Sequence, residues 1–266
     1  MSKFLRISLL IILILTPIIF YKTFYKGKGK RAVTLPILEK RALPVKPKIA
    51  LIFDDLGESL KDLEAIHSLH IPLTISIVPG LKFSKNISYM GSRCGFSVLI
   101  HLPLQPKEEQ RFVTSKYKFI SSSMGTKEID SLLRYYLNYI RLAIGVNNHM
   151  GSAATENPEL MRHILRTLKS KGLIFIDSRT SFKSVACEIA KQEGVACGYN
   201  ESFVDSVNDP LVMERKLKKI IKKAKDKGKI IIIAHPKKNT IKVLENKLPE
   251  LKKEVDFITI RDYFNL

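Results

Sequence analysis

The chain has 266 residues, a formal net charge of +20, 45% hydrophobic residues and 8% aromatic residues. This length suits one large α/β domain or two small ones, and the hydrophobic content is ordinary for a protein with a sizeable core. The charge does not indicate nucleic-acid binding, because half of the excess falls within residues 1–48, where eleven basic residues face one acidic residue. No nucleic-acid-binding motif accompanies the remaining lysines, so we expect no nucleic acid partner. A lysine-rich surface instead favours anionic partners such as lipid headgroups or acidic cell-wall polymers.

The N-terminus carries an apolar run over residues 7–21, with basic residues on both sides. This pattern is typical of the hydrophobic region of a signal peptide or of a short membrane anchor. No A-x-A-like cleavage site follows it, which favours an uncleaved anchor. We therefore predict a signal-anchor or transmembrane segment over residues 1–25. Residues 26–47 contain Gly, Lys and Pro without periodicity and are predicted to form a linker.

From residue 48 onward, short apolar runs alternate with amphipathic segments. Strands are predicted over residues 49–53, 73–78, 96–100, 143–146, 173–176, 229–234 and 257–260, with short extended pieces over residues 195–199 and 202–205. Helices are predicted over residues 60–69, 82–94 (helical or irregular), 127–140, 158–170, 184–193, 210–227 and 240–251. Strands that alternate with helices pair in parallel through right-handed crossovers. Seven or eight such strands favour an α/β barrel over a short open sheet, with residues 48–266 as one domain.

The chain contains three cysteines, Cys94, Cys187 and Cys197, and no CxxC pair. We interpret them as ordinary thiols. The alternative is one bridge between Cys187 and Cys197, which requires an oxidising compartment.

Successive apolar runs end in acidic or histidine residues. They are Asp54-Asp55, His101, His149, Asp177 and His235. In a parallel α/β barrel the carboxyl ends of all strands lie on one face, so residues far apart in sequence converge there. Two histidines and one carboxylate are a common ligand set for a catalytic divalent metal, which leaves the other acidic and histidine residues for acid and base roles. His67 and His163 fall within predicted helices and His70 directly follows one, so all three are interpreted as structural.

The adjacent carboxylates Asp54 and Asp55 have a simpler explanation as well. Asp55 or Ser59 is suitably placed to cap the helix predicted over residues 60–69, since Asp and Ser are favoured at that position. Recurrence of the same pattern of strand, polar residues and helix along the chain favours the functional interpretation.

Five motifs at these strand ends resemble the divergent polysaccharide deacetylase family, a bacterial branch of the polysaccharide deacetylase (carbohydrate esterase) superfamily. They are Phe53-Asp54-Asp55-Leu56-Gly57, Ile100-His101-Leu102-Pro103, Val146-Asn147-Asn148-His149-Met150-Gly151-Ser152, Asp177-Ser178-Arg179-Thr180 and Ala234-His235-Pro236. The resemblance covers residues 48–264 in order, and the Asn-Asn-His-Met-Gly-Ser block is its most specific part.

This resemblance implies a distorted (β/α) barrel of about seven parallel strands and a divalent metal, with zinc expected. It implies Asp55, His101 and His149 as the metal ligands and Asp54 as the catalytic base. His235 matches the late histidine that the superfamily uses as an acid, and Asp177 with Arg179 resembles the pair that orients the site.

One position departs from the superfamily pattern. The wider superfamily takes two histidines a few residues apart after the third strand, whereas here Gln105 occupies the second position. His149 is therefore the candidate for the second histidine ligand, as in the divergent branch.

The resemblance predicts a metal-dependent hydrolase that removes acetyl groups from a cell-envelope polysaccharide or related glycan. We expect it to lie in the bacterial cell envelope, anchored in the inner membrane with its domain in the periplasm, or secreted if the segment is cleaved. The alternatives are a catalytically silent glycan-binding protein and a metal-dependent phosphoesterase. No Gly-rich phosphate loop is present to favour the phosphoesterase.

Overall fold

The computed structural model describes residues 45–108 and 116–266. The anchor predicted over residues 1–25 and most of the predicted linker lie outside these residues. Among the helices of the described part, none has the length and apolar character needed to cross a bilayer. Residues Lys46–Leu266 form one compact unit, which begins two residues before the predicted domain boundary.

Eight strands, all parallel to their neighbours, form the sheet, and seven of them close into a barrel. The strands are β1 (Lys48–Leu56), β2 (Thr74–Ile77), β3 (Ser97–Leu104), β4 (Gly145–Met150), β5 (Ile174–Asp177), β6 (Cys197–Phe203), β7 (Lys229–Ala234) and β8 (Asp256–Ile258). The order runs from β2 through β7 to β1, and the pairing of β1 with β2 closes the barrel. The predicted barrel of about seven parallel strands is confirmed.

Strand β1 pairs with three other strands and is the strand at which the barrel closes. Along one edge it pairs with β7 over its first six residues. Along the other edge its first three residues pair with β8, and its last residues, from Ile52 to Leu56, pair with β2. The barrel is thus closed directly at the carboxyl ends of the strands, whereas β8 fills the gap between β1 and β2 at the opposite end.

Eight α-helices surround or cap the barrel among the described residues. They are α1 (Leu60–His67), α2 (Ser84–Arg93), α3 (Thr126–Tyr139), α4 (Pro158–Ser170), α5 (Ala186–Glu193), α6 (Pro210–Lys227), α7 (Lys238–Glu254) and α8 (Ile260–Phe264). The Ser59 hydroxyl accepts a hydrogen bond from the backbone N–H of Lys61 and caps α1. Because Ser59 fills that role, Asp55 is not needed as a helix cap.

Two apolar layers hold these elements together. The larger lies between the helices and the outer face of the barrel, and the smaller fills the barrel interior with side chains such as Ile52, Leu99 and Ile176. Gly145 also lies on an inward-facing position, where a Cβ atom would come within 2.3 Å of Ile174 Cγ1 and 2.8 Å of the Ile174 carbonyl oxygen. Close packing of the interior therefore requires glycine at this position.

The C-terminal helix α8 was not predicted, and the strand predicted over residues 257–260 is shorter than expected. Thr259 and Asp262 form a capping box that starts the helix where the strand ends. Ile260 is fully buried in the interior cluster, and its backbone N–H donates to Thr74 Oγ1 at 2.9 Å. The helix thus covers the end of the barrel opposite the acidic and histidine residues.

Strand β6 also differs from the prediction, which divided it into two extended pieces at residues 195–199 and 202–205. It is one strand whose register with β7 shifts between Asn200 and Phe203. Polar residues lie on both faces of this strand, since Asn200 faces the barrel interior and Glu201 pairs with Lys223 and Lys227 of α6. The sequence pattern therefore lacks the apolar continuity used to detect strands.

A disulfide joins Cys187 to Cys197 across a sequence separation of 10, with the Cα atoms 5.5 Å apart. The interpretation of these two residues as ordinary thiols was wrong, and the alternative bridge is present. Cys94 is an exposed free thiol. The bridge connects the start of α5 to the start of β6, and such bonds persist in oxidising compartments.

We expect the double variant Cys187→Ser/Cys197→Ser to lose about 3 kcal/mol of unfolding free energy, since the disulfide closes a loop of about ten residues in the unfolded chain. Urea denaturation without reductant measures this difference. Cys94→Ser is the matched control and should change stability by less than about 0.5 kcal/mol. A double variant as stable as the native protein would show that the bridge does not stabilise the fold.

Candidate metal centre and active site

The barrel interior changes from apolar to polar at the carboxyl ends of its strands. Side chains alternate between the two faces of a strand, so residues two positions beyond an interior apolar residue also face inward. At this level the inward-facing residues are Asp54, Ser76, His101, Asn147, Ser178, Asn200 and His235. All but His235 are buried. Seven strands therefore deliver a ring of polar groups to one end of the barrel. The sequence predicted a polar end for five of these strands, and three residues of the ring, Asp54, His101 and His235, were among its candidates.

Asp55 reaches the same site by a break in this alternation. Its backbone φ is 63°, in the left-handed region, and the register between β1 and β2 shifts between Phe53 and Leu56. This bulge turns the Asp55 side chain back over the end of the barrel, although the preceding Asp54 already faces inward. Asp tolerates this backbone conformation better than most residues, at a cost on the order of 1–3 kcal/mol.

Three candidate ligand atoms converge on one point. Asp55 Oδ1 lies 3.1 Å from His101 Nε2 and 3.0 Å from His149 Nδ1. All three ligand atoms fall within 4.8 Å of one another, and among the described residues this is the sole group of three or more such side chains with that property. The sequence-based set of Asp55, His101 and His149 is thus brought together by the fold.

The donor set fits a divalent cation such as zinc. Ligand atoms about 2.0–2.1 Å from a tetrahedral zinc are about 3.3 Å apart, close to the distances between the carboxylate and imidazole atoms here. Both histidines are also fixed through their second ring nitrogens, as is usual for metal-binding histidines. His101 Nδ1 lies 3.0 Å from Asn147 Oδ1, and His149 Nε2 lies 2.7 Å from the Tyr117 hydroxyl.

The protonation of Asp55 and His149 also suits a cation, whereas His101 must release a proton to bind one. Burial works to raise the pKa of Asp55, but hydrogen bonds from His101 and His149 outweigh it and hold that pKa well below its usual range. Burial lowers the pKa of His149. Burial also works against the charged form of His101, yet the nearby charges of Asp54 and Asp55 raise its pKa to about 8. An ionised carboxylate beside a neutral imidazole is the form in which these groups bind metals.

Asp54 lies beside the three ligands and is held by a different set of contacts. Its side chain is buried, with Oδ1 accepting a hydrogen bond of 2.8 Å from Asn147 and Oδ2 lying 3.7 Å from His101 Nε2. Burial raises the pKa of Asp54, with a further contribution from the charge of Asp55, while His101 and His235 oppose the rise. A carboxylate with a raised pKa accepts a proton more readily than an ordinary aspartate.

His235 faces the cluster from the end of β7. Its Nε2 lies 3.7 Å from Asp55 Oδ2, and its Nδ1 lies 2.9 Å from Oδ1 of Asp205. Burial works to lower the pKa of His235, but the hydrogen bond to Asp205 and the charges of Asp55 and Asp54 raise it overall. Because Nδ1 donates to Asp205, Nε2 is the nitrogen that faces the cluster.

Sequence reasoning missed Asp205 as a site residue. Its buried carboxylate also accepts from the backbone N–H of His235 at 3.0 Å and from the Thr240 hydroxyl at 2.9 Å. The hydrogen bond with His235 outweighs burial and lowers the pKa of Asp205. The available signal was the extended piece predicted over residues 202–205, which ends in Asp205 as the other runs end in Asp or His.

Two aromatic residues after β3 were also missed. The Phe119 ring stacks on the His149 ring with centroids 5.9 Å apart, while Tyr117 packs edge-on against it at 5.3 Å. Burial raises the pKa of Tyr117 to about 12, so its hydroxyl stays protonated. These residues fall within a polar stretch whose apolar periodicity is too weak to place them by sequence.

Asp177 and Arg179 occupy a different place from the other candidates. The carboxylate of Asp177 accepts from the Arg179 backbone N–H at 2.8 Å and from the Ser184 hydroxyl at 2.7 Å. The Arg179 guanidinium stacks over Tyr199 at 4.6 Å. Asp177 follows the inward-facing Ile176, so alternation turns it away from the interior. These contacts organise the loop after β5, and an orienting role of the pair in the active site stays a prediction.

The position of His149 explains how the ligand set is completed without a second histidine after β3. Strands β3 and β4 pair so that Pro103 lies opposite His149, two residues beyond His101 along the barrel wall. Gln105 instead accepts hydrogen bonds from the Ser121 hydroxyl at 3.0 Å and the Ser122 backbone N–H at 3.2 Å, which hold these two serines beside the end of β3. The neighbouring strand thus supplies the second imidazole.

Comparisons with known proteins give a family and several relatives. The family model described as divergent polysaccharide deacetylase matches residues 51–264. An uncharacterised protein of Haemophilus influenzae is 34% identical over 211 residues, which cover 79% of this chain and 74% of that protein. The uncharacterised protein YibQ of Escherichia coli is 25% identical over 218 residues, which cover 82% and 67% of the two chains. The crystal structure of an uncharacterised protein from Agrobacterium tumefaciens C58 has a TM-score of 0.76 and 18% identity, with 82% of this chain and 89% of that chain covered.

We expect the purified protein to bind one zinc ion, and Asp55→Asn or His149→Ala to weaken that binding by more than about 100-fold. Each variant removes one of three protein ligands, whereas loss of an outer partner alone typically costs 10–100-fold. Competition against a chromophoric chelator measures the affinity. His163→Ala is the matched control, because His163 pairs with Asp130 at 2.8 Å, away from the three ligands. Unchanged affinity in both ligand variants would contradict the assignment.

Proposed function

The chain belongs to the divergent polysaccharide deacetylase family, and on that premise we propose that it is a metal-dependent hydrolase. Its proposed reaction removes N- or O-acetyl groups from a cell-envelope glycan. The observation that carries this proposal is the convergence of Asp55, His101 and His149 on one point, with Asp54 and His235 on either side. These residues supply a cation site, a base and an acid within a few ångström of one another, as hydrolysis of an acyl group requires.

In the proposed mechanism Asp55, His101 and His149 hold a divalent cation, and zinc is the proposed metal. A bound divalent metal supplies Lewis-acid polarisation of the acyl group and lowers the pKa of water. The ligand atoms Asp55 Oδ1, His101 Nε2 and His149 Nδ1 are fixed by the fold and by the contacts to Asn147 and Tyr117. Little reorganisation of the chain is therefore needed to bind the ion.

The carboxylate of Asp54 is the proposed general base. It is buried beside the ligand cluster, where its raised pKa favours acceptance of a proton from attacking water. Its Oδ1 is engaged by Asn147, so Oδ2, which lies 3.7 Å from His101 Nε2, is the oxygen turned toward the reaction.

His235 is the proposed general acid. Asp205 fixes its ring and keeps the Nδ1 proton in place, and the raised pKa of His235 favours the protonated form that donates from Nε2. The proton goes to the leaving amine of an N-acetyl group or the leaving alkoxide of an O-acetyl group, which depart as poor leaving groups when unprotonated. Asp54 and His235 thus divide proton removal and proton delivery between two sides of the cluster.

The proposed location is the bacterial envelope, with the domain in the periplasm and the N-terminal segment as an anchor. The Cys187–Cys197 disulfide supports an oxidising compartment, and the apolar run at residues 7–21 supports export. A glycan of the cell envelope is the proposed substrate because it is the polymer available to a hydrolase in this place.

Acetate release from a panel of N-acetylated and O-acetylated glycans tests the proposal, with zinc-loaded and chelator-treated protein compared. Release that depends on metal supports the deacetylase. Glycan binding without release from any member of the panel would favour the catalytically silent alternative. Hydrolysis of phosphorylated chromogenic esters instead of acetylated ones would favour a phosphoesterase.

We expect Asp54→Asn to retain zinc and lose turnover by about 10²–10⁴-fold, the usual range for a general base. His235→Ala should also retain zinc, with its largest loss on substrates that have poor leaving groups. Parallel measurement of zinc content and initial rates separates these effects from ligand loss. If Asp54→Asn releases zinc while Asp55→Asn keeps it, the roles of the two carboxylates are reversed.

We expect deletion of residues 1–44 to move the protein from the membrane fraction to the soluble fraction without changing its thermal melt. The reason is that Lys46–Leu266 contains the complete barrel and its core. Cell fractionation and calorimetry measure the two effects. A truncated protein that melts at a lower temperature would show that the deleted segment packs against the domain.

A further inference from the structure

The side-chain amide of Asn147 lies between the proposed base and one of the proposed ligands, with no surface exposed to solvent. Its Nδ2 donates to Asp54 Oδ1 at 2.8 Å and to Ser178 Oγ at 3.3 Å. Its Oδ1 lies 3.0 Å from His101 Nδ1 and accepts a hydrogen bond from the Ser76 hydroxyl. An amide has two N–H donors and two oxygen lone pairs, so these contacts use its full capacity.

The orientation of this amide follows from its neighbours. An ionised Asp54, the form that a general base requires, offers only acceptors, so the amide N–H must face it. The amide oxygen then faces His101, where it needs a donor. A reversed amide would place two oxygens 2.8 Å apart and set its N–H group against the His101 ring nitrogen.

The amide in turn selects the tautomer of His101. Because Asn147 Oδ1 accepts a hydrogen bond, Nδ1 of His101 carries the proton. In the neutral ring the lone pair is then on Nε2, which lies 3.1 Å from Asp55 Oδ1 within the ligand cluster. Only this tautomer presents a ligand atom to a cation at that point.

We propose that Asn147 is a positioning residue that couples the two halves of the site, by orienting the base Asp54 and selecting the His101 tautomer that binds metal. The first half of this role rests on the proposed function, and the second depends only on the metal site. The fold supports it from both sides, because Ser76 on β2 and Ser178 after β5 hold the amide in one rotamer. The two effects share one side chain, so its replacement disturbs both.

Nitrogen-15 NMR of histidine side chains tests the tautomer in the native full-length protein without any substrate. We expect His101 in the zinc-loaded protein to carry its proton on Nδ1 and to bind through Nε2. The metal-free protein, at a pH where the His101 ring is neutral, should show the same tautomer because Asn147 Oδ1 still accepts from Nδ1. Observation of the opposite tautomer in the metal-free protein would overturn the proposal.

The variant Asn147→Leu keeps the approximate shape of the side chain and removes all four hydrogen bonds. We expect zinc affinity to fall by about 10–100-fold, the range for loss of a partner behind a metal ligand, and His101 to populate both tautomers. Asn200→Leu is the matched control. Asn200 is a buried amide that donates to the Ser178 carbonyl oxygen at 3.3 Å and has no hydrogen bond with Asp54, Asp55 or the ligand histidines among the described residues.

A second variant separates the two halves of the role and covers the case in which Asn147→Leu does not fold. Asn147→Asp keeps an oxygen toward His101 and replaces the N–H group that faces Asp54. We expect it to bind zinc within about threefold of the native affinity, since the partner of the ligand is retained, and to lower kcat with KM unchanged. Native kcat in Asn147→Asp would overturn the part of the proposal that concerns Asp54.

Failure of this proposal is distinct from failure of the proposed function. If the native protein binds no zinc, the metal-site assignment is wrong, and both the proposed function and the proposed role of Asn147 are overturned. If the native protein binds zinc and hydrolyses an acetylated glycan, while Asn147→Leu matches Asn200→Leu in zinc affinity and histidine spectrum, only the role of Asn147 is overturned.

Discussion

A closed barrel admits to its interior only one of every two side chains on each strand, and this constraint governs both the core and the site. Up to Ile52, Leu99 and Ile176 the admitted residues are mostly apolar. The polar exceptions, Thr74 and Ser97, accept hydrogen bonds from the backbone of α8, which covers the opposite end. Two residues further along, the same parity admits polar groups, all of them buried except His235. Burial of such groups is tolerated only when they satisfy one another, and no side-chain polar atom buried in the described residues lacks a partner.

The carboxylate pair at the end of β1 shows how the site uses an exception to that constraint. Asp54 obeys the alternation and becomes a buried acceptor, whereas Asp55 leaves it through a bulge and a left-handed backbone conformation. The pKa values of the two neighbours consequently shift in opposite directions. Burial raises the pKa of Asp54, while two histidines hold the pKa of Asp55 low. The different roles proposed for the two adjacent carboxylates thus follow from one local change in backbone geometry. The strain at Asp55 is offset by its contacts with His101 and His149.

The sequence carried enough information to predict the barrel and the three candidate ligands that the fold brings together, because continuous apolar strands and their polar ends are local patterns. Local patterns did not predict three other features in the same way: the disulfide, the helix α8 that covers one end of the barrel, and Asp205. The bridge between Cys187 and Cys197 depends on a distance of 5.5 Å between Cα atoms that spacing alone does not fix. The position of α8 depends on the packing of Ile260 in the barrel interior, which is a tertiary contact. Asp205 follows strand β6, in which polar and apolar residues do not alternate regularly. The sequence pattern therefore does not indicate which side chains at the end of this strand face the site.

The completion of the ligand set shows why spacing along one strand is a weaker guide than register between two. A second histidine four residues after His101 would extend from β3 into the loop that Gln105 instead anchors. Parallel pairing places His149 of β4 opposite Pro103, so its ring meets His101 with centroids 4.7 Å apart. Metal binding depends on where ligand atoms are held and not on which strand holds them. The proposed ligand set therefore takes its second histidine from the adjacent strand, where the register of the β3–β4 ladder fixes the position of His149.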